Sequence, residues 1–235
     1  MREIERDAAG IGALADPTRR RLYLYVCSQS APVGRDEAAA AVGIARHQAK
    51  FHLDRLEAEG LLESGYARLG ERSGPGAGRT SKLYRRTGRD IAVSLPDREY
   101  ELAGRLMADA IAASVASGAP VLDVLYRLAA EHGRSLGDAA VAVAGTPESA
   151  ESALRLAVQV LAEHGYEPRP EGDRVVLANC PFHALARAQT ELVCHLNHAL
   201  IDAVADTLHP HGPHARLAPG EGRCCVVLTP AGGTS

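Results

Sequence analysis

The chain of 235 residues contains no tryptophan, and aromatic residues make up only 4% of it. Alanine, leucine and valine must therefore fill the interior, and the hydrophobic fraction of 46% is large enough for that. A composition this apolar excludes a wholly disordered chain. We expect a folded protein with room for two modest domains.

Long hydrophobic runs are also missing. No stretch of the sequence approaches the ~20 consecutive apolar residues that a membrane-spanning helix requires. The first ten residues, MREIERDAAG, are charged and lack the apolar centre of a secretory signal. The sequence therefore predicts a cytoplasmic protein with no membrane partner.

Lysine is scarce, and the basic residues, mostly arginine, are unevenly distributed. Residues 1–90 hold 16 Lys and Arg against 12 Asp and Glu, whereas residues 91–235 hold 10 against 17. A polyanion is attracted to the first part and repelled by the second. The charge pattern therefore favours two parts with different roles, of which the first binds the polyanion.

Apolar spacing in the first part predicts helices. Residues 4–28 form a helical pattern that is interrupted at Asp16, which can cap a new helix beginning at Pro17. A short helix is predicted over residues 35–42, and Gly43 provides the turn that follows.

A third helix is predicted over residues 45–59, and Gly60 ends it. Its buried face is expected to hold Ala45, Ala49, Leu53 and Leu56. Two strand-like runs, residues 61–69 and 82–86, flank a glycine-rich loop and predict a β-hairpin. Two helices around a glycine turn, followed by a hairpin, are typical of a winged helix-turn-helix that reads DNA.

The third helix and the hairpin carry the side chains that this interpretation needs. Arginine and glutamine can pair with base edges, and lysine and arginine can contact phosphates. The predicted DNA-binding residues are Arg46, His47, Gln48, Lys50, His52 and Arg55 on the helix, and Arg68, Arg72, Arg79 and Lys82 in the hairpin.

Residues 10–90 resemble the winged-helix regulators of the arsenic-repressor (ArsR) and multiple-antibiotic-resistance (MarR) types. The resemblance rests on ALADPTRRRLYLYV and on VGIARHQAKFHLDRLEAEGLLE. It implies that Arg46, His47, Gln48, Lys50 and His52 lie where such regulators contact DNA. It also implies a homodimer that binds an inverted repeat in double-stranded DNA.

The second part mixes helical and strand-like patterns, so the chain is predicted to be an α+β protein. Its domains are expected at residues 1–95, for DNA binding, and 96–235, for sensing and dimerisation. The predicted elements are helices over 98–117, 120–132, 147–165 and 186–208, a hairpin of 166–169 with 174–178, and a last strand over 223–228.

Cysteines are concentrated in this second part. Five cysteines without a Cys-x-x-Cys pair favour neither a disulfide framework nor a local zinc motif. On a strand, Cys224 and Cys225 would face opposite sides, so at most one of them is expected at any single site. Two readings stay open: buried small side chains, the class to which Cys27 is assigned, or metal ligands.

The segment NCPFHALARAQTELVC resembles the sensor half of Suf-type repressors of iron–sulfur cluster assembly, which carry Cys-Pro-aromatic and a second Cys about a dozen residues later. The resemblance implies an iron–sulfur cluster, or zinc, at Cys180, Cys194 and Cys224, with His183 next. Where that family has a further cysteine, this chain has none before Cys224. Either histidines replace it, at His209, His211 and His214, or the site has been lost.

These observations predict a DNA-binding transcription regulator, a repressor, controlled by metal or cluster occupancy. One alternative keeps DNA binding and replaces the metal by an organic ligand in a pocket lined by Leu154, Leu161 and Val176. Another is an enzyme with Cys180 as nucleophile and His183 as base. Because no orienting carboxylate is identifiable for that pair, we expect no enzyme.

Overall fold

The computed structural model describes residues 2–67 and 80–232. The chain divides into two compact units, residues 1–93 and 94–235. Helices and strands occur in both units, so the predicted α+β class is confirmed. Along the described residues, no helix combines the length and the apolar character needed to cross a membrane.

The first unit opens with helices. They are α1 (Arg2–Ala13), α2 (Pro17–Ser28), α3 (Arg35–Val42) and α4 (Arg46–Ala58). The interruption before Pro17 is confirmed, and the carboxylate of Asp16 accepts a hydrogen bond from the backbone N–H of Arg19 at 2.8 Å. This cap satisfies one of the free N–H groups at the start of α2.

A small sheet completes the first unit. It holds the strands β1 (Val33–Gly34), β2 (Leu62–Ala67) and β3 (Ser81–Arg86), all antiparallel, in the order β1-β3-β2. The core of this unit lies between the helices and the sheet. It is built around the fully buried side chains Leu22, Leu53, Leu56, Leu62 and Tyr84.

The second unit begins with three helices, α5 (Tyr100–Ser117), α6 (Val121–Ala144) and α7 (Ala150–Glu163). The prediction ended the second of these helices at residue 132, whereas α6 continues for 12 residues beyond it. The glycines of this segment, Gly133 and Gly137, are buried and helical. They do not end the helix because they allow it to pack closely against a later one.

The strands of the second unit form one antiparallel sheet. They are β4 (Pro168–Glu171), β5 (Arg174–Leu177), β6 (His214–Leu217) and β7 (Val226–Thr229), in the order β4-β5-β7-β6. The hairpin was predicted, but β6 was not. The predicted last strand also began too early, because Cys224 and Cys225 precede β7 rather than lying on it.

Two further helices stand between β5 and β6. They are α8 (His183–Ala188) and α9 (Thr190–Asp206), where a single helix over 186–208 was predicted. A Cβ atom added at Gly133 would overlap the carbonyl oxygen of Leu200 on α9, and one added at Gly137 would overlap Thr207. The helices α6 and α9 therefore pack at a distance that only glycine permits at these positions.

Candidate nucleic-acid interface and thiol cluster

The turn between α3 and α4 is built on Gly43. Its φ of 73° is left-handed, a conformation that glycine adopts without steric cost. Its N–H donates to the carbonyl of Ala39 at 3.0 Å and ends α3. The chain then turns into α4, whose first residue is Arg46 rather than Ala45; Ala45 is exposed and not part of the buried face.

The outer face of α4 presents most of the predicted DNA-binding side chains. The exposed residues are Arg46, His47, Gln48, Lys50 and Arg55. His52 is not exposed: it is half-buried, and its Nδ1 atom is buried without a hydrogen-bond partner among the described residues. Although His52 was predicted among the DNA-binding residues, its place on α4 is next to the buried stripe, so only part of its side chain reaches solvent.

Each cation of this face is paired with a carboxylate. Arg46 lies 2.5 Å from Asp36 of α3, and within α4 the ammonium group of Lys50 lies 3.0 Å from Asp54. Arg55 lies 2.6 Å from Glu59, whose side chain is 15% exposed against 56% for the arginine. Lys50 is likewise more exposed than its partner. Along α4, therefore, the cations project further into solvent than the carboxylates.

Lys82 of β3 forms ion pairs with two carboxylates of α4. Its ammonium group lies 3.0 Å from Asp54 and 2.5 Å from Glu57, and its side chain is only 25% exposed. Desolvation would lower the pKa of Lys82, but bonds to Glu57 and Asp54 outweigh it and raise the pKa. Its charge is already matched by two carboxylates, so a DNA phosphate would have to compete with Asp54 and Glu57 for Lys82.

The same contacts organise Asp54. Burial would raise its pKa, but hydrogen bonds from Tyr84, Lys50 and Lys82 prevail and lower the pKa to about 2. The hydroxyl of Tyr84 donates to Asp54 at 2.7 Å. A charged Asp54 therefore connects α4 to β3.

Other predicted hairpin contacts, Arg68, Arg72 and Arg79, lie outside the described residues.

Sequence reasoning also missed two aromatic side chains of this unit. Phe51 of α4 is 65% exposed, and Tyr66 of β2 is 74% exposed. The available signal was the apolar character of Phe51 at a helix position opposite the buried stripe.

The second candidate site is a cluster of cysteines in the second unit. Cys180, Cys194, Cys224 and Cys225 line one open cavity of about 480 Å³. Cys180 and Cys225 are each 8% exposed and Cys224 is 1% exposed, whereas Cys194 is half-buried. We call these four residues the thiol cluster. Cys27 belongs to the first unit and is half-buried rather than buried.

Both members of the Cys224–Cys225 pair take part, so the expectation that at most one joins a site was wrong. That expectation assumed that both residues lie on a strand, where neighbouring side chains face opposite sides. Both residues instead lie in irregular chain before β7. His183 is exposed and lines the cavity, whereas His209, His211 and His214 are not among its lining residues.

The thiols of the cluster shift one another's pKa, and Sγ of Cys225 donates to the backbone carbonyl oxygen of Cys194 at 4.0 Å. The bond from Cys224 lowers the pKa of Cys225 to about 6 despite burial. Burial raises the pKa of Cys194 to about 12. Bonds to Cys180 and Cys225 raise the pKa of Cys224. Within these three residues, the surroundings therefore favour the thiolate at Cys225 over a thiolate at Cys194 or Cys224.

A buried amide supports the cluster from α9. Asn197 is fully buried, and its Nδ2 atom donates to Sγ of Cys224 at 3.1 Å. Its Oδ1 atom accepts a hydrogen bond from the hydroxyl of Tyr166 at 2.5 Å. These two bonds connect Cys224 to Tyr166 through α9.

Arginine side chains surround the same cavity. Arg98, Arg187 and Arg223 line it, and none of the described residues that line it is an aspartate or a glutamate. Arg98 also donates to the carbonyl oxygen of Cys180 at 3.2 Å, and Arg223 lies 3.5 Å from Glu171, outside the lining. The cavity is therefore cationic, and it favours thiolates or a bound anion.

The sulfur atoms of the thiol cluster are suitable metal ligands, but their positions in the structure are not those of a metal site. Thiolates are the ligands of zinc and of iron–sulfur clusters. Across residues 2–67 and 80–232, however, no group of three or more His, Cys, Asp or Glu side chains is arranged so that it could hold a metal ion. Ligation by the thiol cluster would therefore require its side chains to move from the positions they hold.

The residues of the organic-ligand alternative lie elsewhere. Leu161 is 1% exposed inside the hydrophobic core of the second unit, and Leu154 packs against that core. Val176 of β5 is half-buried. Leu161 is thus enclosed by other core side chains, which gives that alternative no support.

Comparison with known proteins bears on the first unit alone. A family model described as a helix-turn-helix domain matches residues 14–65, which span α2, α3, α4 and part of β2. None of the curated proteins and none of the solved structures matches the chain. The first unit therefore carries a helix-turn-helix domain, the type of domain found in DNA-binding regulators.

Proposed function

We propose that the protein is a sequence-specific DNA-binding transcription regulator, a cytoplasmic repressor that binds an inverted repeat as a homodimer. The observation that carries the proposal is the exposed face of α4, which follows the left-handed Gly43 inside the helix-turn-helix match. A helix placed this way after a glycine turn presents its outer face to the major groove. Its arginines and Gln48 have the chemistry to read base edges.

The test is selection of binding fragments from the genomic DNA of the source organism, followed by a gel-shift titration of the purified full chain. We expect specific affinity that falls steeply with salt, because cations on α4 displace counterions from phosphates. A transcription assay on the selected fragment should show less transcript with the protein present. If no duplex is retained at low salt, the proposal is overturned.

We further propose that the thiol cluster controls DNA binding by holding an iron–sulfur cluster or zinc. Cys180, Cys194, Cys224 and Cys225 would be the ligands, so Cys225 takes the place predicted for His183. When bound, such a group supplies a compact charged centre whose occupancy or redox state can change. Four thiolates around iron and sulfide carry net negative charge, which the arginines of the cavity would offset.

The chain's own residues have separate parts in this proposal. Arg98 holds the backbone at Cys180, and Asn197 directs its amide at Cys224. Occupancy affects DNA binding only if the effector binds unequally to two conformations of the regulator.

This part is tested by purification without oxygen, followed by visible absorbance and by metal and sulfide analysis. We expect bound metal in the wild type, its loss in Cys225→Ser, and its retention in Cys27→Ser. The second variant is the matched control because Cys27 lies in the other unit. Equal metal content in both variants, or a metal-free wild type, would remove the thiol cluster from the proposal and leave DNA binding intact.

A further inference from the structure

Phe51 occupies an unusual position on α4, which carries most of the predicted DNA-binding residues and is called the predicted recognition helix below. Its side chain is 65% exposed, although burying a phenylalanine is favourable. At ~100° per residue, Phe51 lies opposite the buried stripe of Ala49, Leu53 and Leu56. The centre of the outward face of α4 is therefore an apolar ring.

Polar residues surround this ring on the helix surface. His47 and Arg55 stand one turn before and one turn after it, and Lys50 precedes it in the chain. Arg55 and Lys50 are each more exposed than the carboxylates with which they pair. An apolar centre with projecting cations calls for a partner that offers an apolar group among negative charges.

The major groove of DNA offers that combination. Of the four bases, only thymine presents a methyl group there, at C5, between two rows of phosphates. We infer that Phe51 reads thymine by packing its ring against this methyl group, and so contributes to the choice of operator. The inference rests on the proposed function, since it concerns the same helix face.

A second copy of this chain is a less suitable occupant of the face. Joining two such faces would bring the cations around one Phe51 against those around the other, and like charges repel. Duplex DNA satisfies both parts of the surface at once, because phosphates pair with Lys50 and Arg55 while the methyl group meets the ring.

The experiment uses the full chain and an operator obtained by selection from genomic DNA. Each thymine is replaced in turn by uracil, which lacks only the C5-methyl group, and affinity is measured by fluorescence anisotropy. For the wild type we expect about a fourfold loss at one or two positions, which corresponds to ~0.8 kcal/mol for one buried carbon. Phe51→Ala should bind the unmodified operator more weakly and should no longer distinguish thymine from uracil.

Two further variants make the result specific. Phe51→Leu keeps an apolar side chain and should retain part of the discrimination. Leu24→Ala removes another apolar side chain of the same unit, 59% exposed on α2, and should retain all of it. Both results support the inference because they separate the contact at Phe51 from a general loss of apolar surface.

Three outcomes overturn the inference while leaving the proposed function in place. One is a wild type indifferent to uracil at every position, and another is Phe51→Ala that discriminates as well as the wild type. The third is a Phe51→Ala variant that still discriminates but changes its oligomeric state, as measured by sedimentation. That result would mean that the ring of Phe51 contacts a second copy of the chain. Failure of the wild type to bind any duplex would instead overturn the proposed function.

Discussion

The ammonium group of Lys82 lies 3.0 Å from the Oδ1 atom of Asp54, so strand β3 is ion-paired with helix α4. Tyr84, two residues further along β3, donates to the same oxygen. Residues two apart on a strand face the same side, which is why both reach one carboxylate. The orientation of the predicted recognition helix thus depends on a charge on Asp54.

Asp54→Asn should lower the free energy of unfolding by about 1 kcal/mol at neutral pH, a figure reduced for solvent screening of a one-third exposed carboxylate. The pKa of Asp54 falls from 3.8 unfolded to about 2 folded. Its contribution is therefore complete above pH ~4 and lost as the pH falls towards 2. Urea unfolding of both proteins at several pH values measures the difference.

The control for this experiment is Asp90→Asn, since the Asp90 side chain is 94% exposed and its pair with Arg86 spans 3.5 Å. Its stability should follow that of the wild type at every pH. A stability gap for Asp54→Asn that stays constant from neutral pH to pH 3 would contradict the assignment of that charge.

Asp36→Asn should strengthen DNA binding by about three- to fivefold. The substitution releases Arg46 from its pair at 2.5 Å and removes a negative charge from the same surface. Arg46→Ala and Lys50→Ala should act in the opposite direction, each weakening binding about tenfold and reducing the salt slope by ~1. Gel shifts over a range of salt concentrations provide both quantities.

Arg127→Ala serves as control for these variants. Arg127 is paired with Glu131 on an exposed face of α6, in the other unit, and its loss should change neither affinity nor slope. Weaker binding by Asp36→Asn would mean that the Asp36–Arg46 pair positions the helix for DNA rather than competing with it.

Gly133→Ala should destabilise the second unit by about 2–3 kcal/mol, because its methyl group would overlap backbone of α9 that cannot move aside. The matched change, Gly104→Ala on α5, has nothing within 4 Å of the added carbon. It should stabilise by ~0.5–1 kcal/mol, since alanine favours helix over glycine. Thermal unfolding that shifts both variants the same way would contradict the close packing of α6 and α9.

Asn197→Leu should cost about 1–3 kcal/mol, because the buried hydroxyl of Tyr166 loses its acceptor. Tyr166→Phe should cost less alone. The double variant should lose less unfolding free energy than the sum of the two single losses, since no polar group of the pair is then left unsatisfied. Unfolding free energies of the four proteins form the test, and strict additivity would show that the pair is not coupled.

Local signals in the sequence were sufficient for the helices of the first unit. A proline after Asp16 and a glycine after residue 42 act through their own backbone chemistry, so their effect can be read without knowing the fold. The exposed cations of α4 follow from the same helical spacing. The pairing of Lys82 does not, because the two carboxylates that hold it lie 25 and 28 positions earlier.

In the second unit, the errors come from contacts between distant segments. Gly133 resembles a helix end in sequence, but the backbone of Leu200 makes glycine necessary within the helix. The four residues of β6 are too few to show an alternating strand pattern in the sequence. They form a strand because they pair with β7. The thiol cluster unites cysteines up to 45 positions apart. The grouping of Cys180, Cys194 and Cys224 was predicted from a resemblance, whereas Cys225 was missed because the chain before β7 is irregular.

The position of β7 has a consequence for how the second unit is completed. This strand follows every other described element in the chain, yet it is inserted between β5 and β6 in the sheet. A chain interrupted before residue 224 would lose the strand that joins the two halves of the sheet and two of the four thiols together. Premature termination or proteolytic trimming there would thus leave a product that retains the helix-turn-helix but lacks an internal strand of its second sheet and half of its thiol cluster.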